Sequence, residues 1–169
     1  MYSNLCSTTE QFNEEITAQT ERAAAFLLDV QNARKEYFTH SVAGKLASQY
    51  KETFDYFSSG DVSGISQSTT NSINVYRGLT KFRSDWNKEF IQRELLEAEE
   101  LLSDIDGKSL DAQQRVAVIT DEDSNLVLAG AGSGKTLTIA GKVKYLVEHK
   151  GVKPEEILLI SYTKKSALD

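Results

Sequence analysis

Proline and cysteine are almost absent from this chain of 169 residues. The only proline is Pro154, so almost nothing in the preceding sequence forbids long helices. The only cysteine is Cys6, which excludes an internal disulfide and favours a reducing compartment, so we expect the protein in the cytoplasm. No apolar run reaches the roughly 20 residues of a membrane-spanning helix, and the N-terminus lacks the basic and apolar segments of a signal peptide.

Basic residues are scarce in the first part of the chain. The net charge is −6; residues 1–106 hold 10 Lys and Arg against 17 Asp and Glu, whereas residues 107–169 hold 9 against 8. Attraction to nucleic-acid phosphates requires clustered Lys and Arg. We therefore expect any contact with nucleic acid to come from residues 107–169.

Helical periodicity dominates residues 1–106. Residues 7–10 form a capping-box pattern, and the apolar residues after it are spaced alternately by four and by three, as in a coiled-coil heptad. This seam consists of Phe12, Ile16, Gln19, Ala23, Phe26, Val30, Ala33 and Tyr37. A similar apolar spacing continues to Phe57.

These patterns predict a helical arm over residues 1–106. We expect one helix over about residues 7–57, which Gly44 could interrupt, then a loop over 58–72 and a second helix over 83–105. Two amphipathic helices joined by a loop indicate an antiparallel hairpin in which each buries its apolar stripe on the other. The alternative is that the seam mediates dimerisation.

A glycine-rich loop follows the apolar run 126–128. It consists of Ala129, Gly130, Ala131, Gly132, Ser133, Gly134, Lys135 and Thr136. Glycines let backbone N–H groups close around phosphate oxygens, and the N-terminus of the next helix adds its positive dipole end. Lys135 would reach the β- and γ-phosphates, and the Thr136 hydroxyl would hold Mg²⁺. This Walker A pattern predicts a site for a nucleoside triphosphate.

The surroundings of the loop predict a βαβ unit. Apolar strands at 126–129 and 157–160 flank a helix from about 135 to 148, which indicates a parallel sheet. The predicted fold class is therefore α/β: a helical hairpin, then the first βαβ unit of a P-loop, RecA-like domain over residues 107–169. Because two strands leave open edges and uncovered faces, we expect this part to be poorly anchored by itself.

Two further groups could recognise ligands. The side-chain amide of Gln114, just before the loop, can pair with an adenine edge. Three residues beyond the second predicted strand could stack on a base and contact backbone phosphates: Tyr162, Thr163 and Lys165. The alternatives are that Gln114 lies on an ordinary helix surface and that the lysines lie on a solvated loop.

These residues, in this order, resemble the motifs of a known family. Gln114, the loop of residues 129–136 and residues 162–167 are similar to motifs Q, I and Ia of the UvrD/Rep-like superfamily 1 DNA helicases. Residues 90–95 and 118–128 resemble members of the DNA helicase IV type.

The resemblance implies roles for individual residues. Gln114 would bind adenine, and Lys135 and Thr136 would bind the ATP phosphates and Mg²⁺. Single-stranded DNA would be contacted by Tyr162, Thr163 and Lys165. Leu137 departs from the family pattern, since many relatives have an arginine there, near the nucleotide.

An acidic pair at the end of an apolar strand, as in a Walker B motif, is missing from these 169 residues. We therefore expect an N-terminal part of an ATP-dependent helicase or translocase that binds ATP and Mg²⁺ but neither hydrolyses ATP nor unwinds DNA alone. One alternative is a helical interaction module with a vestigial nucleotide site. Another is a different P-loop NTPase, such as a kinase.

Overall fold

A computed structural model of the chain describes residues 2–59, 64–130 and 132–160, with side chains from residue 10 onward. Within these ranges the chain is mostly helical and forms no β-strand. The elements are α1 (Tyr2–Ala33), α2 (His40–Gln49), α3 (Lys51–Ser59), α4 (Gln67–Arg77), α5 (Leu79–Glu97), α6 (Glu99–Ser103), α7 (Ala112–Ile119), α8 (Lys135–Lys144), a π-helical turn (Tyr145–His149) and a 3-10 turn (Pro154–Glu156). The chain divides into two compact units, Met1–Asn87 and Lys88–Asp169. No helix in the described ranges has both the length and the apolar character needed to cross a membrane.

The core of the first unit is built around Phe26 of α1. Its ring centre lies 5.3 Å from that of Tyr50, 5.0 Å from that of Phe54 and 5.7 Å from that of Tyr76, in edge-to-face geometry each time. Ala23, one turn earlier on α1, is also fully buried. The apolar seam of α1 therefore packs against α2, α3 and α4 of the same unit.

The prediction of one helix over residues 7–57 is wrong, because α1 ends at Ala33 and α2 begins only at His40. Phe38 lies in the intervening turn and is completely buried. The side-chain amide of Asn87 accepts a hydrogen bond from the Phe38 N–H (2.8 Å) and donates one to its carbonyl (3.0 Å). A buried aromatic ring and a satisfied backbone thus stabilise the turn in place of continued helix.

Side-chain caps set two further boundaries that differ from the prediction. The Thr39 hydroxyl accepts an N–H from the first turn of α2 (3.2 Å), and that helix then runs through Gly44 without interruption. The loop predicted over 58–72 is shorter, since α4 begins at Gln67. Ser66 caps it by accepting an N–H of its first turn at 3.1 Å.

The predicted two-helix hairpin is replaced by several shorter helices. The turn after α1 returns the chain, so that Phe54 and Tyr76 contact Phe26 instead of extending its stripe. The second predicted helix, over 83–105, is divided between α5 and α6. The apolar spacing that continues to Phe57 thus belongs to separate helices that pack against one another.

The second unit contains a buried carboxylate, that of Glu94 on α5, which is 3% exposed. It accepts a hydrogen bond from the Tyr145 hydroxyl, and it lies 3.1 Å from Nε2 of His149 and 3.4 Å from Nζ of Lys150. Burial raises the pKa of Glu94, but the Tyr145 hydrogen bond and the Lys150 charge outweigh it and hold the pKa below its ordinary value. The carboxylate is therefore ionised and paired.

The two predicted strand segments, 126–129 and 157–160, form no strand within the described residues. Their large side chains are exposed: Leu126 85%, Val127 54%, Leu128 87%, Leu158 82%, Leu159 62% and Ile160 87%. Parallel strands are stable when neighbours cover both edges and both faces. The described residues supply no such neighbours, so the βαβ part of the predicted fold is not observed there, whereas the helical part is.

Replacing Phe26 should strongly destabilise the first unit. Phe26→Ala leaves a cavity among three aromatic rings, and we expect a loss of about 3–5 kcal/mol in the free energy of unfolding. The control is Leu28→Ala on the same helix, where the side chain is 58% exposed and the expected change is within about 0.5 kcal/mol. Urea unfolding followed by circular dichroism measures both; equal losses would contradict the assigned core.

The Glu94 carboxylate should make stability depend on pH in the acid range. Its folded pKa is lowered, so its contribution is present above the ordinary value of 4.5 and is lost as the pH falls below it. We expect Glu94→Gln to cost about 1.5–3 kcal/mol at pH 7 and progressively less than that below pH 4.5. Urea unfolding at several pH values tests this. A loss that stays constant with pH would show that the charge of Glu94 is irrelevant.

Candidate functional site

The backbone of the glycine-rich loop is left-handed at two glycines. Gly132 has φ +74° and Gly134 has φ +79°, a region that side-chain-bearing residues rarely adopt. Between them, the Ser133 hydroxyl donates to the carbonyl of Gly130 at 2.8 Å. Gly134 is the N-cap of α8, so the loop ends directly in a helix N-terminus, where amide N–H groups have no partner inside the helix.

The ammonium of Lys135 folds back onto this loop. Its Nζ donates to the carbonyl of Gly130 at 2.7 Å and to that of Ala129 at 3.4 Å. The positive charge thus lies beside the helix N-terminus, and both attract anions. The arrangement is suited to bind a polyanion such as a chain of phosphates.

Gln114 contacts the same loop from α7. Asp111 and Gln114 form a reciprocal capping box, in which the Asp111 N–H donates to the Gln114 side-chain oxygen at 2.8 Å. This leaves Nε2 of Gln114 pointing to the loop, where it donates to the carbonyl of Ser133 at 3.0 Å. A Cβ on Gly134 would lie only 2.5 Å from that nitrogen. The structure therefore brings Gln114 and the loop together, while its predicted contact with adenine stays a prediction.

Close packing between α7 and α8 maintains this approach. A Cβ on Gly141 of α8 would lie 2.7 Å from Leu110 Cδ1 and 3.4 Å from Val118 Cγ2. Next to the contact lies a mostly apolar cavity of about 230 Å³, whose lining includes Val127, Lys135 and Ile139 among other residues. A cavity thus adjoins the loop on the side of its lysine.

Two places offer ligands for a metal ion. Thr136 is exposed in the first turn of α8, so its hydroxyl is accessible beside the loop. In a separate cluster, ligand atoms of Glu94, Glu97 and His149 lie within 4.8 Å of one another. Because the Glu94 carboxylate already accepts from Tyr145 and pairs with a lysine, we assign no metal to this cluster.

Several predicted site residues lie outside the described residues: Ala131, Tyr162, Thr163 and Lys165. Conversely, sequence reasoning did not identify Asp111 as the residue that orients Gln114. The signal was present, because Asp followed three residues later by Gln is a capping-box spacing. No sequence pattern identifies the carbonyl of Ser133 as the partner of Gln114, because every residue has a backbone carbonyl.

Comparison with known proteins identifies the class of this segment. Residues 110–169 match the model of the UvrD/REP helicase N-terminal domain. The resemblance predicted from the sequence is thus confirmed over this part of the chain, at partial coverage.

Individual relatives extend the comparison. A probable DNA helicase of Mycoplasma pneumoniae is 47% identical over 58 residues, 34% of this chain and 11% of the relative. The ATP-dependent DNA helicase PcrA of Staphylococcus epidermidis is 43% identical over 60 residues, 36% of this chain and 8% of the relative. DNA helicase IV of Escherichia coli is 34% identical over 85 residues, 50% of this chain and 12% of the relative.

The matched stretches thus span about a tenth of the length of these curated relatives. The relatives are named as DNA helicases, and PcrA as an ATP-dependent one. No solved structure matches the chain.

A side chain at Gly134 should disturb the loop. Gly134→Ala places a Cβ in a left-handed conformation and against Gln114, and we expect it to cost about 1–2 kcal/mol. Gly44→Ala is the control, since its Cβ would meet nothing within 4 Å in α2 and should stabilise by about 0.5–1 kcal/mol. Urea unfolding of both variants gives the comparison; stabilisation by both would contradict the loop conformation.

Proposed function

We propose that the chain is part of an ATP-dependent DNA helicase or translocase of the UvrD type and that the loop of residues 129–136 binds ATP with Mg²⁺. The main support is the position of the Lys135 ammonium beside the N-terminus of α8, in a segment of this helicase family. We propose the dependence on ATP and the action on DNA because the relatives are named as DNA helicases and PcrA as an ATP-dependent one.

Lys135 would exchange its partners when the triphosphate binds. Its ammonium now donates to two loop carbonyls, at Gly130 and Ala129. Phosphate oxygens carry more negative charge than carbonyls, so the ammonium would turn to the β- and γ-phosphates. The N–H groups of the first turn of α8 would receive other phosphate oxygens, and the Thr136 hydroxyl would coordinate Mg²⁺.

Gln114 would recognise adenine. A side-chain amide can pair with both N6 and N7 of that base. The capping box with Asp111 holds the side chain of Gln114 at the loop, and its Nε2 would leave the carbonyl of Ser133 for the base. Base recognition and loop conformation would thereby share one side chain.

The remaining parts of the proposal concern the sheet and DNA. We propose that segments 126–129 and 157–160 become parallel strands when they have neighbours, because their side chains are apolar and exposed. Single-stranded DNA would then contact Tyr162, Thr163 and Lys165, just beyond the second strand. A cytoplasmic location, as the single cysteine predicts, belongs to the same proposal.

Turnover of ATP needs an acidic pair at the end of an apolar strand, and these 169 residues contain none in that position. We therefore propose that this chain binds ATP and Mg²⁺ without hydrolysing it. DNA-stimulated ATPase activity of the purified chain would contradict that part of the proposal.

Binding of a fluorescent ATP analogue with Mg²⁺ tests the site. Lys135→Ala removes the charge at the loop, and we expect at least a tenfold weaker affinity, about 1.4 kcal/mol. Lys108→Ala is the control, because Lys108 is also an exposed lysine but lies outside the loop; its affinity should equal that of the unaltered chain. Equal affinities of all three proteins would overturn the assignment of the loop.

A further inference from the structure

A second polar cluster lies at the far end of the helix that begins at the glycine-rich loop. After Lys144, α8 continues as a π-helical turn over Tyr145–His149, closed by a hydrogen bond from the Lys150 N–H to the Tyr145 carbonyl at 3.0 Å. Gly151, with φ +70°, follows directly, so the turn is the C-terminal end of this helix. Side chains of a neighbouring helix also contact it.

Two donor side chains of this turn, and that of the lysine directly after it, converge on Glu94. The Tyr145 hydroxyl donates to its carboxylate, and the His149 ring nitrogen and the Lys150 ammonium lie 3.1 and 3.4 Å from it. The rings of Tyr145 and His149 stack with centres 5.1 Å apart, and the Lys150 ammonium lies 5.1 Å from the centre of the Phe90 ring. Glu94 is 3% exposed, so this contact is part of the core.

The π-helical geometry is what allows all three to meet. An α-helix turns about 100° per residue, which would place Lys150 about 140° around the axis from Tyr145. In a π turn the hydrogen bond joins residues five apart, so Tyr145 and Lys150 come closer to the same side of the axis. A regular α-helical turn would therefore direct Lys150 away from the carboxylate that Tyr145 contacts.

The turn is continuous with the loop at the other end of the helix. Residues 135–149 form one uninterrupted rod of about 20 Å, at roughly 1.5 Å per residue. Because the helix is continuous, a movement of its C-terminal end relative to α5 would be transmitted along α8 toward the loop. The position of the first turn, where the Thr138 N–H donates to the Gly134 carbonyl (2.9 Å), would shift with it.

We propose that Glu94 is a positioning residue for the glycine-rich loop. Its carboxylate holds the π-helical turn at Tyr145–His149 and so fixes α8, and the loop that α8 follows, relative to α5. The nucleotide role of the loop is the proposed function given above, on which this inference rests in part. The effect on α8 itself does not depend on it.

Amide hydrogen exchange by NMR tests the proposal in the full chain. In Glu94→Gln we expect exchange at least tenfold faster at the Lys150 and Thr138 amides, which mark the two ends of the rod. The Thr120 amide, which closes α7 through Val116, should change far less. Glu89→Gln is the control, since it removes an exposed carboxylate from the same helix, outside the cluster of Glu94, Glu97 and His149.

Tyr145→Phe provides a milder variant if Glu94→Gln fails to fold. It removes one donor and keeps the ring, and it should accelerate Lys150 exchange by a smaller factor. Exchange that rises equally at Thr120, Thr138 and Lys150 would mean general destabilisation and would overturn the proposal. Unchanged exchange at Lys150 in both variants would do the same.

Nucleotide provides a readout that a purely structural role would not produce. With the fluorescent ATP analogue and Mg²⁺ bound, the Lys150 amide should exchange more slowly in the unaltered chain and in Glu89→Gln, but not in Glu94→Gln. Binding without any such slowing overturns the link between the two ends. If the unaltered chain binds no nucleotide, the proposed function fails, while the exchange rates at Lys150 and Thr138 still decide the role of Glu94.

Discussion

The hydrogen bond from the Gln114 side chain to the Ser133 carbonyl is the contact on which the candidate site depends. It connects α7 to the glycine-rich loop at 3.0 Å, and Asp111 orients the amide that makes it. The bond requires a glycine at 134, both because φ there is +79° and because a Cβ would lie 2.5 Å from the amide nitrogen. Glycine at position 134 thus allows both the left-handed backbone and the close approach of the Gln114 side chain.

The first unit depends on a different constraint, the burial of aromatic rings around α1. Phe26 contacts rings from three other places in the unit because the chain reverses after Ala33. The reversal is stabilised by Phe38, whose backbone is held by Asn87, 49 residues later in the chain. The first unit is therefore one long helix, α1, packed against several shorter helices.

Local interactions explain which features of the site a sequence can reveal. The left-handed conformations at Gly132 and Gly134, and the capping box of Asp111 and Gln114 that the sequence analysis missed, depend on residues within three positions of each other. Such patterns can be recognised in a sequence, because the chemistry that stabilises them is adjacent. The end of α1 could not be recognised in this way, since its partner Asn87 is remote. The strand segments 126–129 and 157–160 could be recognised as apolar, but a parallel strand forms only where neighbouring strands pair with it.

The amino-acid sequence by itself determined the glycine-rich loop, the helix that follows it and the helicase family of residues 110–169, since these depend on short patterns and on similarity to relatives. Only the tertiary structure decided where the long apolar pattern of the first 57 residues is broken and what it packs against. It also decided that two side chains of one π-helical turn and the lysine after it share the carboxylate of Glu94. The physical reason is that the periodicity of a sequence shows only that one face of a helix is apolar. Which distant residues cover that face depends on the tertiary structure.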